Sequence, residues 1–82
     1  MNNLINFKDL EDFKYQITTF DTTFFYKDRE FIVCPLDKIY VCEALDDMSK
    51  QIEEIFIDAN DLLMNWKIDG ISIEKLVDKF KY

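Results

Sequence analysis

Thr23-Phe24-Phe25-Tyr26-Lys27 and Glu30-Phe31-Ile32-Val33-Cys34 stand on either side of Asp28-Arg29, and the reading of this stretch decides the fold. Both runs are rich in aromatic and β-branched side chains, which suit a pleated, half-buried surface. Two polar residues between them predict a tight antiparallel hairpin, although Asp-Arg is a poorer turn than Asn-Gly. In that register Tyr26 faces Phe31 and Phe24 faces Val33 on one side, with Phe25 and Ile32 on the other. Lys27 then stands opposite Glu30, an exposed ion pair that contributes little. Since both sides carry apolar residues, helices are expected to cover one while the other meets a partner or a second copy of the chain.

Downstream, Pro35-Leu36-Asp37-Lys38 breaks the second strand. Ile39-Tyr40-Val41-Cys42-Glu43 follows as a third, completing an antiparallel meander. Leu45, Met48, Ile52, Ile55 and Phe56 are then spaced as on an amphipathic helix, capped by Asp46 or Asp47. The alternative there is a short extended piece at Ile55-Phe56-Ile57, because short apolar runs are ambiguous. Asp58 is expected to cap a helix from Ala59 to about Trp66, with Leu62, Leu63 and Trp66 inward. Gly70, free to take positive φ, ends it at Ile68-Asp69-Gly70. Ser72 then caps a last helix with the stripe Ile73, Leu76, Val77 and Phe80, and Ile71 packs on Leu76 as a hydrophobic staple.

Upstream, Asn6 is read as the N-cap of a first helix, with Asp9 and Glu11 in its opening turns, where the dipole favours anions. Phe7, Leu10, Phe13 and Ile17 lie along one side of it. Thr18 and Thr19 start the β-prone stretch, and Asp21 marks the turn. The expected class is α+β: an N-terminal helix, a three-stranded antiparallel β-meander and two or three C-terminal helices on one face. Residues 1–82 form one domain, since this length leaves no room for a second core.

Composition narrows the function. The chain is 49% hydrophobic and 16% aromatic, with one Gly and one Pro, which places it with ordered domains despite its charge. A net charge of −7, with ten basic residues scattered among seventeen acidic ones, argues against direct binding of nucleic acid or of an anionic membrane. No apolar run approaches the roughly 20 residues needed to span a bilayer. The first residues lack the basic flank and apolar stretch of a signal peptide, so the expected location is cytoplasmic. Cys34 and Cys42 match neither a redox pair nor a zinc knuckle and are read as buried thiols on strands.

Chemistry is sparse. Without histidine the usual base at neutral pH is absent, and a cysteine nucleophile lacks its activator. One glycine cannot build a phosphate-cradling loop. A calcium loop placed around Gly70 would put Lys67 and Leu76 where ligands belong. Leu62 to Phe80 has the outline of a helix-turn-helix, but its second helix carries Glu74 and Asp78 and no arginine, so an αα-hairpin completing the core is expected. No catalytic residue, cofactor or metal is assigned, and the chain is expected not to be an enzyme.

What remains is charge placement. Between Glu43 and Asp61 lie seven acidic residues, Glu43, Asp46, Asp47, Glu53, Glu54, Asp58 and Asp61, opposed only by Lys50. That segment carries almost the whole net charge, a feature a partner can read. It is either a solvated face that keeps a hydrophobic chain soluble or a surface that occupies a basic, nucleic-acid-binding cleft of another protein. Carboxylates at every helical turn would partly imitate the field of DNA, with its one charge per about 1.7 Å.

Phe24-x-Tyr26 … Phe31-x-Val33, Phe56-x-Asp58-x-x-Asp61-Leu62-Leu63 and Ile68-Asp69-Gly70-x-Ser72-Ile73 together resemble small acidic proteins of Gram-positive bacteria and their phages. In size, acidity and α+β order the chain also looks like phage-encoded anti-CRISPR proteins, several of which occupy the DNA-binding cleft of an effector nuclease. These likenesses rest on structural motifs and carry over no functional residue. They favour an inhibitor that binds a nucleic-acid-handling host protein, and it is the charge placement that makes the seven carboxylates its expected contacts, the protein acting as a monomer or homodimer. The alternative is a self-associating structural or adaptor domain, with Phe25, Ile32 and Tyr40 as the buried contacts.

Overall fold

A computed structural model describes residues 6–81. Helix α1 (Leu10–Thr19) precedes an antiparallel sheet of β1 (Thr22–Tyr26), β2 (Arg29–Pro35), β3 (Ile39–Glu43) and β4 (Glu53–Phe56), adjacent in that order. Helix α2 (Ala59–Asn65), a short hairpin of β5 (Lys67–Ile68) and β6 (Ile71–Ser72), and helix α3 (Ile73–Leu76) follow, with a 3₁₀ turn at Val77–Lys79. The α+β class is as expected, with four strands in the main sheet where three were read.

The central hairpin turns at Lys27-Asp28, one residue earlier than read, and Tyr26 pairs with Arg29, Phe24 with Phe31 and Thr22 with Val33. Lys27 takes φ +57°, the left-handed conformation that a two-residue hairpin requires of its first central residue. Moving the turn shifts each pairing by two positions and therefore leaves the faces unchanged. Phe24, Tyr26, Phe31 and Val33 still share one side, and all four are buried.

Three other local readings are corrected. Asp9, not Asn6, caps α1: its carboxylate accepts from the Asp12 N–H at 2.8 Å, and Asp12 in return accepts from the Lys8 N–H at 3.0 Å. Asn6 instead donates its side-chain amide to the Asp78 and Phe80 carbonyls. Thr18 and Thr19 belong to the helix, the Thr18 hydroxyl donating back to the Lys14 carbonyl. The helix expected over Leu45–Phe56 is replaced by a 3₁₀ turn at Met48–Lys50 and strand β4. Asp47 accepts from both the Ser49 N–H and hydroxyl, local bonding that competes with a helix. Glu53–Phe56 meanwhile pairs with the otherwise unsatisfied edge of β3.

Asp58 caps α2 as read, accepting from the Asp61 N–H at 2.9 Å. Between α2 and α3 stands a β-hairpin rather than the bare turn of an αα-hairpin. Its Asp69-Gly70 turn has φ +55° and +80°, the pattern of a type I′ turn. Ile73, Leu76, Val77 and Phe80 are all buried, whereas Ile71 stays exposed on β6.

The core lies on one side of the main sheet, where the helices pack. Phe24 is at its centre, stacked on Phe80 at 4.3 Å and within 6.2 Å of the rings of Phe7, Phe13, Phe31 and Trp66. Buried Thr22 is satisfied by the Gln16 and Phe20 carbonyls.

Candidate interaction surface

A four-stranded sheet has two faces and two edges, and the chain closes one face and part of one edge. Helices close the core face. Phe25 and Lys81 exchange both backbone hydrogen bonds, at 2.7 and 3.0 Å, and so occupy part of the β1 edge.

The second face carries Thr23, Phe25, Glu30, Ile32, Cys34, Tyr40, Cys42, Glu53 and Ile55, as the register requires. Among the described residues no helix crosses it. Phe25, Ile32 and Tyr40 thus share this face, each half-buried. The Tyr40 hydroxyl donates to Asp37 at 2.9 Å, and this bond is the main cause of its raised pKa. Cys34 pairs with Tyr40 and Cys42 with Ile32, so the two free thiols are diagonal rather than opposite. They lie on strands as read, but half-buried on the uncovered face rather than buried. Burial, then the charge of Asp21, pushes the Cys34 thiol up.

The other edge, β4, is open. Gln51-Ile52-Glu53-Glu54-Ile55-Phe56-Ile57 runs along it, and only Phe56 is buried. Ile52 is 75% exposed, Ile55 53% and Ile57 71%, and among the described residues β4 ends the strand order with β3 as its neighbour on one side only. Glu53 projects on the uncovered face and Glu54 on the opposite side.

The seven carboxylates do not form one helical face, because of the seven only Asp61 lies in a helix, α2, with Asp58 as its cap. Glu43 is turned to Arg29, which donates to it twice at 3.0 Å. Asp46 and Asp47 lie in the loop that enters β4, and Glu53 and Glu54 on the strand itself. Asp47 sits below the usual carboxylate range because Ser49 donates to it. Asp58 and Asp61 follow the strand and serve α2: Asp61 accepts from the Ile57 N–H at 2.9 Å and from the Asn65 amide at 2.6 Å. Six of the seven therefore line or flank the open edge in sequence, and among the described residues none of those six forms an ion pair.

Beside the edge, on the core side, is a half-open cleft of about 400 Å³. Phe31 and Trp66 contribute to its floor, and Arg29, Glu43, Lys50, Glu54, Lys67 and Asp69 supply equal numbers of each charge. No sequence signal points to it, since its walls come from β2, β3, β4 and the β5–β6 hairpin, far apart in the chain. Among the described residues no buried polar side-chain atom lacks a partner, and no cluster of three ligating side chains could hold a metal. Nor is any helix there long and apolar enough to cross a membrane. No family model, curated protein or solved structure matches the chain.

Proposed function

We propose that this chain is a non-enzymatic interaction protein that engages the basic surface of a partner through the acidic β4 edge. The observation that carries this reading is the open outer edge of β4 with Glu53 and Glu54 both exposed and, among the described residues, in no ion pair, entered past Asp46 and Asp47 and left at Asp58. A partner surface built to hold nucleic acid offers the complementary charge, and occupying it would make the protein an inhibitor, as a phage or mobile element would use. Complementary charge acts chiefly on the association rate and is screened by salt.

Affinity capture with the tagged chain at graded salt tests this. The proteins retained at low salt should be displaced by double-stranded DNA and lost with Glu53→Lys/Glu54→Lys. Retention that ignores salt, DNA and both substitutions would remove the proposal. A second reading, self-association through Phe25, Ile32 and Tyr40, is favoured by the uncovered sheet face those residues share.

A further inference from the structure

Resting on that reading of the β4 edge, we infer that its occupant is an extended basic segment of the partner, which joins the sheet as an added strand beside Glu53–Phe56. Charge alone would accept any cationic surface; the backbone narrows the choice. In an antiparallel pair, alternate residues turn their N–H and C=O groups toward the neighbouring strand. Among the described residues β4 ends the strand order and pairs with β3 alone, so those of its backbone groups that face away from β3 point outward along an open edge, which closes at Ile57, whose N–H is taken by Asp61. Such a row of unpaired groups is a template for another strand, and strand addition is a recurring way to capture peptides.

Side chains set which strand fits. Directly opposite residues on adjacent strands interact most strongly, and like charges there repel. An incoming strand would meet Glu53 on the uncovered face and Glu54 on the cleft side, so lysine or arginine is called for on both sides. Beside Ile55 an aliphatic or β-branched residue fits. The motif is thus two consecutive basic residues followed or preceded by a β-branched one, in extended form. The same glutamates exclude a second copy of this chain: pairing β4 with β4 would bring four carboxylates to one seam. Edge charges commonly guard sheets against self-pairing in this way.

The probe is a synthetic eight-residue peptide with a central Lys-Lys flanked by valine and threonine, titrated into the intact labelled chain and followed by amide NMR and hydrogen exchange. Binding should move the amides of Glu53–Phe56, and the outward ones among them should gain protection. The same peptide, N-methylated at alternate residues, keeps its charge but loses its ladder donors and should bind roughly tenfold more weakly or worse. Glu53→Gln/Glu54→Gln should weaken the unmodified peptide by a similar factor while leaving the spectrum of the free chain otherwise intact. Equal binding of the two peptides would overturn strand addition yet leave the acidic-surface reading standing. Failure of both peptides at low salt, while captured basic proteins are still displaced by DNA, would have the same meaning; failure of capture as well would sink both ideas. A free chain whose outward β4 amides are already protected in a dimer also overturns the proposal.

Discussion

Arg29 and Glu43 are joined by two parallel hydrogen bonds, Nε to Oε2 and Nη2 to Oε1, each 3.0 Å. The remaining nitrogen of the same guanidinium, Nη1, reaches Asp69 at 2.8 Å, and the group lies 5.2 Å over the Phe31 ring. One side chain therefore ties β2 to β3 and both to the β5–β6 turn, and these contacts, offset partly by desolvation, push its pKa further up. Arg29 is about a third exposed, so its worth is discounted for screening. Arg29→Ala should cost about 1–2 kcal/mol, and Arg29→Lys most of that, since an ammonium cannot reproduce the fork. Urea denaturation measures it; a lysine variant as stable as the parent would show that the fork geometry contributes nothing.

Gly70 gives a second prediction. Its φ of +80° is costly for any residue with a side chain, while an added Cβ meets nothing within 4 Å. Gly70→Ala should therefore cost about 1–2 kcal/mol through backbone conformation alone, and Gly70→Asn noticeably less, since Asn tolerates the left-handed region. Equal melting temperatures for the two variants would refute the conformational account.

The Asp69-Gly70 turn marks a limit of what local sequence shows. Asp-Gly between Ile68 and Ile71 is a hairpin signal, yet strands of two residues are too short to show alternation. The main hairpin was legible because aromatic residues on both runs fix the faces, which survive a misplaced turn. β4 was legible only as the extended alternative at Ile55-Phe56-Ile57, because Leu45, Met48, Ile52, Ile55 and Phe56 match helical spacing by coincidence. The strand signal, β-branched Ile55 and Ile57 on either side of buried Phe56, occupies only three residues. The acidic segment was visible in the sequence, but its arrangement along an edge depends on where β4 pairs, a long-range choice no local pattern encodes.

Alkaline pH should destabilise the fold through Cys34 and Tyr40. Both have raised pKa values, Cys34 mainly from burial and Tyr40 mainly from its bond to Asp37. A group with a raised folded pKa contributes stability that is intact below its unfolded value and lost as pH rises through the folded one. Stability should thus decline above the ordinary thiol value of 9.0 and further above the tyrosine value of 10.0. Alkylation of Cys34, followed by mass spectrometry against pH, should show a midpoint above that of a free thiol. A midpoint at or below the free-thiol value would contradict the burial argument.

Phe80 anchors the C-terminal segment. Its ring is fully buried on Phe24, and its next neighbour, Lys81, pairs with the backbone of Phe25. Phe80→Ala should cost about 3–5 kcal/mol, a large part of what a chain of this size has. The expected result is a protein largely unfolded at physiological temperature, seen as lost near-ultraviolet dichroism. Phe80→Leu, which keeps most of the volume, should fold with lowered stability. If the alanine variant melted within a few degrees of the parent, the segment would not be integral to the core.

The uncovered sheet face and the acidic edge respond to salt in opposite directions, which separates the two readings. Each copy carries −7, so face-to-face packing through Phe25, Ile32 and Tyr40 works against mutual repulsion. Added salt screens that repulsion and should strengthen self-association. The same screening weakens attraction between β4 and a basic partner. If the face is an interface between copies, sedimentation should show a dimer that grows with salt and disappears with Ile32→Lys, a half-exposed position where the change leaves the fold intact. A monomer at every salt concentration, with partner capture weakened by salt and unaffected by Ile32→Lys, assigns function to the edge alone.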